Sequence, residues 1–332
     1  MDRRTIRALP VSVLVAVLAG CGGNQNALDP HSSSEGKIAD LWWVMLGAAC
    51  VGFGVVVALL FAGWLRRDRA FEGEGAERRA TTAVVVLGVA IPIVVLTALF
   101  VWADVFVDRS TAAPPAGRAQ LTVRVIAHQW WWEVRYPGTA AVTADEIHVP
   151  VGKRVDIVAT SADVIHSFWV PELNRKIDLI PGRTASVLID ADRPGRYRGQ
   201  CSEFCGVQHA HMTVEVVAQM PGAFHAWLAG MEKPAAAPVT TAESDGRTLF
   251  LGSSCASCHS IRGTSAAGRV GPDLTHLATR ATLAALTIPN RPDYLRGWIA
   301  DPQRVKPGAT MPAIPLTSRE LSALVAYLDH LR

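Results

Sequence analysis

The chain has 332 residues, half of them apolar, and its 32 basic and 29 acidic side chains give a net charge of +3. This length exceeds one average domain and allows two or three hydrophobic cores. A charge so close to balance, without a Lys/Arg-rich run, argues against a nucleic-acid partner. Six cysteines occur, four of them in two close pairs, and their surroundings decide whether they are disulfides or ligands.

The first residues are typical of a bacterial secretion signal. Three arginines precede an apolar run from Leu9 to Ala19, which is too short to span a bilayer. The run ends in Leu18-Ala19-Gly20-Cys21, which resembles the lipobox of bacterial lipoproteins. We therefore predict a signal peptide over 1–20 and a lipid on Cys21. The alternative is a plain signal in which this cysteine has no role.

Two uncharged apolar stretches follow, from Leu41 to Leu65 and from Thr81 to Trp102. Each is long enough, at helical rise, to cross a hydrocarbon core of about 30 Å, and neither has the polar face of a soluble bundle helix. Several arginines lie between them within 66–79, and such a cluster in a short loop marks the cytoplasmic side. We predict a transmembrane hairpin over 41–107. The segment 21–40 and everything after the hairpin then lie on the outer face of the bacterial cytoplasmic membrane.

Beyond the hairpin, the pattern changes to short runs that are rich in Val and Ile and separated by Gly and Pro. These runs predict a β-sandwich or barrel of about 100 residues, which we place at 118–220. The predicted strands are Leu121–Ala127, Glu146–Val149, Val155–Ala159, Ser186–Ile189 and Thr213–Val217.

The segment Met231–Thr241 is dense in Ala and Pro and predicts a semi-rigid linker, which we place at 221–241. The remaining chain, 242–332, lacks the strand pattern and ends in Ser318–Leu331, where apolar residues share one helical face. We predict a small all-α domain here. The sequence thus predicts a multidomain chain with a helical hairpin, a β-domain and an α-domain.

One loop of the β-domain concentrates metal-binding side chains. The segment from Cys201 to Met212 holds two thiols, an imidazole and a thioether, and soft sulfur combined with imidazole suits copper. A one-copper site of this type uses a single cysteine, so Cys201 and Cys205 indicate two copper ions bridged by both sulfurs. His209 and a remote histidine would bind one copper each, with Met212 axial. The alternative is a disulfide beside histidines that only fill a core.

The remote histidine is assigned to His166, within Val164–Pro171. This segment and the loop Cys201–Met212 together resemble the dinuclear copper A site of cytochrome c oxidase subunit II. The resemblance implies a cupredoxin-like fold and a copper bond from the carbonyl of Glu203. It also implies that the carboxylate of this glutamate reaches towards a magnesium ion shared with the catalytic subunit, and oxygen ligands suit that ion. His211 is interpreted as a neighbour of the site.

Three consecutive tryptophans, between Gln129 and Glu133, match an aromatic strand that this family carries beside the copper loop. The resemblance implies that Trp130 is the point at which electrons arrive from cytochrome c. Two alternatives stay open: the cluster only packs a core, or a fused haem domain delivers electrons by another contact. His128 is interpreted as structural.

The motif Cys255-Ala256-Ser257-Cys258-His259 has the spacing of covalent c-type haem attachment. Thioethers from Cys255 and Cys258 would hold the porphyrin edge, and His259 would bind the iron. The alternatives are a redox dithiol or half of a zinc site. Zinc would need two more ligands nearby, and no second cysteine pair is free.

The opposite face of the iron needs a second ligand. Met311, in a loop before the last predicted helix, fills this role, and Met/His ligation raises the reduction potential. Its rival is His276, which lies closer to the attachment motif but lacks the late-loop position. The segment Gly271–Leu274 resembles class I cytochrome c domains, especially those fused to oxidase subunit II.

The resemblance covers almost the whole chain after the signal and implies a function. Electrons would pass from cytochrome c to haem c, then to the dinuclear copper, then to haem a and the oxygen-reducing haem–copper site of subunit I in a proton-pumping oxidase. The two spans contain no histidine that could bind haem or copper, so oxygen chemistry belongs to that partner. Other oxidase subunits and membrane lipid are the further expected partners.

One position departs from the family pattern. Many members place a glutamate about two helical turns before the proline of the second span, at a proton path, whereas Val85 precedes Pro92 here. Either protons enter elsewhere, for example through subunit I, or the chain belongs to a divergent oxidase branch. Two rival functions stay open. One is a haem–copper nitric oxide reductase with a copper A subunit, and the other is a membrane-tethered electron carrier without a fixed enzyme partner.

Overall fold

The computed structural model describes residues 23–66, 74–109 and 120–332. The predicted signal peptide and the lipidation site Cys21 lie outside these residues. The chain divides into two compact units, of which one comprises Ser34–Ala112 and the other contains the β-domain and the α-domain.

Two long helices make up the first unit, α1 at Ser33–Leu65 and α2 at Gly75–Asp108. Their most apolar windows have mean hydropathies of 2.6 and 3.0, and the described chain buries no residue of either window. Helix α2 widens into a π-helical turn at Val86–Ala90, because Pro92 offers no backbone N–H to the preceding turn. Both helices are long and apolar enough to cross a membrane, and each extends beyond its predicted span.

The β-domain is a sandwich of two five-stranded sheets, ordered β3-β2-β1-β5-β8 and β4-β10-β9-β6-β7 once its strands are numbered along the chain. The strands are β1 Leu121–His128, β2 Trp131–Arg135, β3 Val142–Ala144, β4 Glu146–Pro150, β5 Val155–Ser161, β6 His166–Trp169, β7 Ile177–Leu179, β8 Ala185–Ile189, β9 Gly195–Cys201 and β10 Thr213–Gln219. Side chains from both sheets meet in one core around Trp132, Ile157 and Phe168, each at most 1 % exposed. The predicted sandwich is confirmed.

All five predicted strands are present, close to their predicted bounds, as β1, β4, β5, β8 and β10. Three of the other five were missed because they carry no apolar run: β3 and β7 are three residues long, and β9 is rich in Gly and Arg. Strand β2 is formed by the tryptophan cluster, where the family resemblance implies an aromatic strand.

Strand register places the metal-binding segments at one end of the sandwich. Strands β6 and β9 are antiparallel, with Phe168 opposite Cys201, so the start of β6 lies beside the end of β9. Strands β1 and β5 are parallel and pair Ala127 with Ser161, just before the tryptophan cluster and the His166 segment. Four chain segments therefore leave the sheets close together, which is where a site can be assembled from loops.

The linker predicted at 221–241 is corrected by the structure. Its first part, Pro221–Met231, is a helix, α3, whose Phe224 belongs to the core of the β-domain. Trp227 of this helix stacks on His148 with ring centroids 3.9 Å apart. Proline at the first helical position costs nothing, because that N–H has no helical partner. The Ala- and Pro-rich residues that indicated a linker follow this helix, and the predicted linker was extended over the helix.

The α-domain contains five helices and one short hairpin. They are α4 Thr241–Gly252, α5 Cys255–Cys258, β11 Thr282–Leu283, β12 Ile288–Pro289, α6 Pro292–Ala300, α7 Pro302–Val305 and α8 Ser318–His330. Helices α4 and α8 each begin with a capping box, formed by Thr240 with Glu243 and by Thr317 with Glu320. Phe250 of α4 packs on α8, so the predicted helical domain is confirmed.

Candidate metal centre and haem cavity

The start of β6, the end of β9 and the loop after β9 bring the predicted copper ligands together. The Sγ atoms of Cys201 and Cys205 lie 3.7 Å apart. Nδ1 of His166 is 3.8 Å from Sγ of Cys201, and Nδ1 of His209 is 3.7 Å from Sγ of Cys205. Sδ of Met212 lies 3.8 Å from Sγ of Cys205. Sulfur and imidazole ligands thus converge on one small volume, which is the donor set that copper prefers.

Glu203 approaches this cluster with its backbone. Its carbonyl oxygen lies 3.2 Å from Sγ of Cys201, while its side chain is exposed. Both cysteines are free thiols, and their sulfur separation far exceeds the roughly 2.05 Å of a disulfide bond. The geometry fits two sulfurs that share metal ions and not a disulfide.

The cluster holds Cys201 ready as a ligand. The hydrogen bond between the two cysteines lowers the pKa of Cys201 well below its usual range, with a further contribution from His166 and against the opposing effect of burial. A thiolate is the metal-binding form of cysteine. The lowered pKa therefore favours the metal-binding form of Cys201.

A carboxylate outside the predicted set orients His166. Oδ1 of Asp163 lies 2.8 Å from Nε2 of this histidine, so Nδ1 faces the sulfurs. Burial lowers the pKa of His166, but its bonds with Cys201 and Asp163 outweigh that effect and raise the pKa overall. Carboxylate support of this kind fixes a metal-binding histidine. The only sequence signal was an acidic residue three positions before it.

Two histidines near the loop have other partners. His128 stacks on Trp131 with ring centroids 4.4 Å apart and bonds Glu133 at 3.1 Å. Nδ1 of His211 lies 2.9 Å from the side-chain oxygen of Gln208, and His211 is exposed. These contacts agree with the structural and neighbouring roles expected from the sequence.

The α-domain gathers the four residues of the predicted haem site around one cavity. Cys255, Cys258, His259 and Met311 all line it, together with apolar side chains such as Leu283, Leu295 and Ile299. A largely apolar lining with a few metal-binding groups is typical of cofactor sites.

The ring of His259 is fixed from its outer side. Nδ1 lies 2.8 Å from the carbonyl oxygen of Pro272, which leaves Nε2 for a metal. A Cβ atom at Gly271 would come within 2.5 Å of the ring, so only glycine allows this approach. Burial lowers the pKa of His259 and favours the neutral imidazole that binds iron.

The cavity lining contains a buried arginine that the sequence did not indicate. Its charge and its free donor show how the cavity could accommodate haem. Arg280 lines the cavity, is only 8 % exposed and donates one bond to the carbonyl of Asp273. Its Nε atom is buried and has no hydrogen-bond partner among the described residues. A buried cation with a free donor suits the carboxylates that haem carries. The rival ligand His276 is buried elsewhere, with Nε2 bonded to the carbonyl of Lys233 at 3.0 Å.

The β-domain supplies one wall of the haem cavity, formed by Gln129, Trp130, Trp131 and Asp145. Nε1 of Trp130 donates a 3.0 Å hydrogen bond to the carbonyl of Cys205, and Nε2 of Gln129 donates a 2.7 Å bond to the same oxygen. The indole of Trp130 therefore lines the cavity and also contacts the copper-ligand loop, Cys201–Met212.

Comparison with known proteins decides the family. Residues 141–219 match the family model described as Cytochrome C oxidase subunit II, periplasmic domain, and residues 243–332 match the Cytochrome c model. Cytochrome c oxidase subunit 2 of Alkalihalophilus pseudofirmus is 33 % identical over an alignment of 339 residues, which covers 98 % of this chain and 97 % of that protein. The chain belongs to the cytochrome c oxidase subunit 2 family.

Other subunit 2 proteins match over a smaller part. That of Bacillus subtilis is 31 % identical over 227 residues, which are 64 % of this chain and 62 % of that protein. A crystal structure of the periplasmic domain of subunit II of cytochrome oxidase of Bradyrhizobium japonicum is 32 % identical, with a TM-score of 0.34, and covers 35 % of this chain and 96 % of that chain.

Family membership settles the coarse role. The chain is a membrane-anchored subunit of cytochrome c oxidase that takes part in electron entry, and it associates with other oxidase subunits. Its subunit II domain implies a copper A centre, and its cytochrome c domain implies haem.

Proposed function

We propose that this subunit accepts electrons from cytochrome c at its haem c site and delivers them through its dinuclear copper site to haem a and the oxygen-reducing haem–copper site of subunit I. One observation carries this order. Trp130 lines the haem cavity and donates a hydrogen bond to the carbonyl of Cys205, so the two sites share a wall.

The residues that would hold two copper ions are those of the converging cluster. They are His166, Cys201, Glu203 through its carbonyl, Cys205, His209 and Met212. When bound, the dinuclear copper and the haem supply one-electron transfer chemistry. The protein supplies Cys201, whose pKa is lowered, and His166, which Asp163 orients, and both of these ligands are buried.

Three sets of residues would hold the haem. Cys255 and Cys258 would form the thioethers, and His259 and Met311 would bind the iron. Arg280 would bind a haem carboxylate through its Nε donor, which has no hydrogen-bond partner among the described residues. The apolar cavity with Met/His ligation favours a high reduction potential, which suits an acceptor of electrons from cytochrome c.

This arrangement changes the role expected for Trp130. In the family resemblance, this residue receives electrons from a separate cytochrome c. Here it lines the cavity of the chain's own haem domain. We therefore infer that Trp130 lies between the two sites and that the external donor docks on the α-domain.

Three further assignments belong to the same proposal. The exposed carboxylate of Glu203 would bind magnesium at the contact with subunit I. Cys21 would carry the lipid, and both soluble domains would face the outside of the cytoplasmic membrane. The last assignment rests on the arginines at 66–79 between the two apolar helices.

The test is to purify the native complex and to measure oxygen uptake with reduced cytochrome c beside nitric oxide consumption. Oxygen uptake is expected. Consumption of nitric oxide alone would identify a reductase, and absence of any large membrane subunit would identify an independent carrier. In the full chain purified without partners, copper and iron should occur at about two to one, since the ligand set is that of a dinuclear site and one haem. A ratio of one to one would remove the two-copper assignment.

A further inference from the structure

A buried lysine joins the two soluble domains. Lys306 follows helix α7 in the loop that leads to Met311, and only 3 % of it is exposed. Its Nζ atom donates to the carbonyl oxygens of Trp130 at 2.7 Å, His211 at 3.0 Å and Ala284 at 3.3 Å. A protonated lysine has three donors, so this group is fully satisfied by three backbone acceptors.

The three acceptors belong to three different functional segments. Trp130 lies in the wall of the haem cavity, and His211 lies in the copper-ligand loop beside Met212. Ala284 lies in the β11–β12 hairpin of the α-domain. One ammonium group therefore connects the loop of the proposed iron ligand Met311 with both the tryptophan wall and the copper loop.

The surrounding contacts support the same junction. Gln208 of the copper loop donates a 2.6 Å bond to the carbonyl of Pro307, the residue after Lys306. Gly308 lies so close to the copper loop that a Cβ atom there would be 2.7 Å from Cγ2 of Val207. The chain after Lys306 thus lies directly against the copper loop.

The hairpin of the α-domain is also held by the β-domain. Ala284, Ala285 and Leu286 have φ values of 54°, 56° and 62°, which residues other than glycine rarely adopt without outside support. The N–H of Ala285 donates to Oδ2 of Asp145 at 3.1 Å, and its carbonyl accepts from the hydroxyl of Thr213. The backbone of this hairpin therefore depends on contact with the β-domain.

Stability alone does not explain a buried lysine at this place. Taking an ammonium group out of water is costly, and an apolar side chain of similar volume is often as good or better. Burial lowers the pKa of Lys306 to about 8, with an opposing effect of Asp145, so the side chain is still charged near neutral pH. Unlike an apolar residue, the lysine makes three hydrogen bonds, and these fix the relative positions of three chain segments.

We propose that Lys306 is a positioning residue that locks the haem domain onto the copper-ligand loop and so fixes the path for electrons between the two sites. The electron-transfer half of this inference rests on the proposed function. The docking half does not, because it concerns contacts between protein groups.

Lys306→Met is the main variant, since methionine keeps an apolar stem and removes all three donors. A second anchor keeps the domains joined in this variant: Arg262 donates to the carbonyls of Ala140 in the β-domain and of Lys233 after α3. The matched control is Lys153→Met, an exposed lysine before β5 and far from the copper end of the sandwich.

The first measurement is hydrogen–deuterium exchange on the intact oxidase complex. In Lys306→Met, exchange in the peptides covering 206–213 and 280–290 should rise by roughly tenfold, because the junction opens locally. The cores of both domains and the control variant should exchange as the wild type does. Unchanged exchange at these peptides would overturn the proposal.

The second measurement is flash photoreduction of the haem in the same complexes, followed by haem reoxidation. The rate should fall by roughly tenfold in Lys306→Met, since small misplacements between reacting groups carry large costs. It should also become dependent on solvent viscosity, because the domains must first dock. Greater exchange with an unchanged rate would contradict a positioning role.

Two outcomes separate this inference from the proposed function. A wild-type complex that passes no electron from haem to copper refutes the proposed function, while exchange still tests the docking role. If Lys306→Met fails to assemble, Lys306→Gln keeps two of the donors and should show intermediate exchange and an intermediate rate. Wild-type behaviour of Lys306→Gln in both measurements would overturn the proposal.

Discussion

The copper-ligand loop and the haem cavity differ in how closely the chain brings their functional residues together. In the copper-ligand loop, neighbouring ligand atoms lie 3.7–3.8 Å apart, because strand register and a tight loop bring them together. In the haem cavity, the four expected attachment residues are distributed around the lining of one cavity. The copper site therefore depends on backbone geometry, and the haem site depends on which side chains line the cavity.

This difference predicts how each site responds to the loss of one residue. A converging cluster depends on every ligand, because each sulfur contacts other ligands. A cavity keeps its walls when one attachment residue is lost, and those walls belong to two domains. Trp130 and Asp145, which come from the β-domain, show that the haem cavity is complete only while the domains are joined.

Cys205→Ser should have the largest effect. Sγ of Cys205 contacts Cys201, His209 and Met212, so an alcohol at this position removes the centre of the cluster. Copper should be lost from this chain, and oxygen uptake driven by cytochrome c should fall at least about 100-fold. Metal analysis and haem absorbance check this, with the haem of the chain unchanged. A variant that kept both copper ions would contradict the bridging role.

Cys255→Ala combined with Cys258→Ala should have the next largest effect. Without thioethers the haem is no longer held covalently, and the tethered first acceptor is lost. Uptake driven by cytochrome c should fall roughly 10- to 100-fold, which is the advantage that a tethered site gives. The copper of this chain should remain, as seen by its near-infrared absorbance. Full oxygen uptake in this variant would mean that the donor bypasses the haem domain.

Trp130→Phe should have a moderate effect on the link between the two sites. Phenylalanine keeps an aromatic ring in the cavity wall but cannot donate to the carbonyl of Cys205. We expect electron transfer from haem to copper to slow by about 3- to 10-fold, in line with the loss of one buried hydrogen bond. Trp42→Phe, in helix α1 of the other unit, is the control. An unchanged rate would exclude the indole from the path.

Asp145→Asn should have the smallest functional effect and a clear effect on pH dependence. Burial raises the pKa of Asp145 to about 6, against the opposing effects of its hydrogen bonds and of Lys306 and Arg280. The folded chain therefore binds this proton more tightly than the unfolded chain, so the contribution of Asp145 is present below about pH 4 and is lost as the pH rises through 6. Asparagine also tolerates the φ of 64° at this position.

The measurement is the free energy of unfolding of the full chain as a function of pH. Between about pH 4 and 6.5, the wild type should lose about 1–2 kcal/mol more than Asp145→Asn as the pH rises. The other titrating groups are shared by both proteins, so the difference isolates this carboxyl. Identical pH dependence in the two proteins would contradict the raised pKa.

The ligand sets were accessible from the sequence because they are local. Cys201–Met212 and Cys255–His259 each place several ligands within one loop or one helical turn, and residue type with spacing is enough to indicate copper or haem. The five predicted strands had apolar runs, and the terminal helix had one apolar face. Helix α3 was missed because its Ala- and Pro-rich surroundings resemble a linker.

The contacts between the β-domain and the α-domain could not be predicted from local sequence patterns. Lys306 and Trp130 are 176 positions apart, and Ala285 and Asp145 are 140 positions apart. Nothing in the local pattern around a single lysine or aspartate indicates a partner at such a distance. Arg280 is a similar case, since an isolated arginine in a sequence is usually exposed. Only its burial, and an Nε atom without a hydrogen-bond partner in the part of the chain that the structure describes, mark it as part of the site.

The most direct test of the account is the order in which the two sites are reduced. The intact complex should be mixed rapidly with reduced cytochrome c, and the absorbance of haem c and of the copper centre should be followed in the same experiment. The account predicts that haem c is reduced first and that copper follows at the rate of haem reoxidation. Copper reduction without a lag, while haem c stays oxidised, would contradict it.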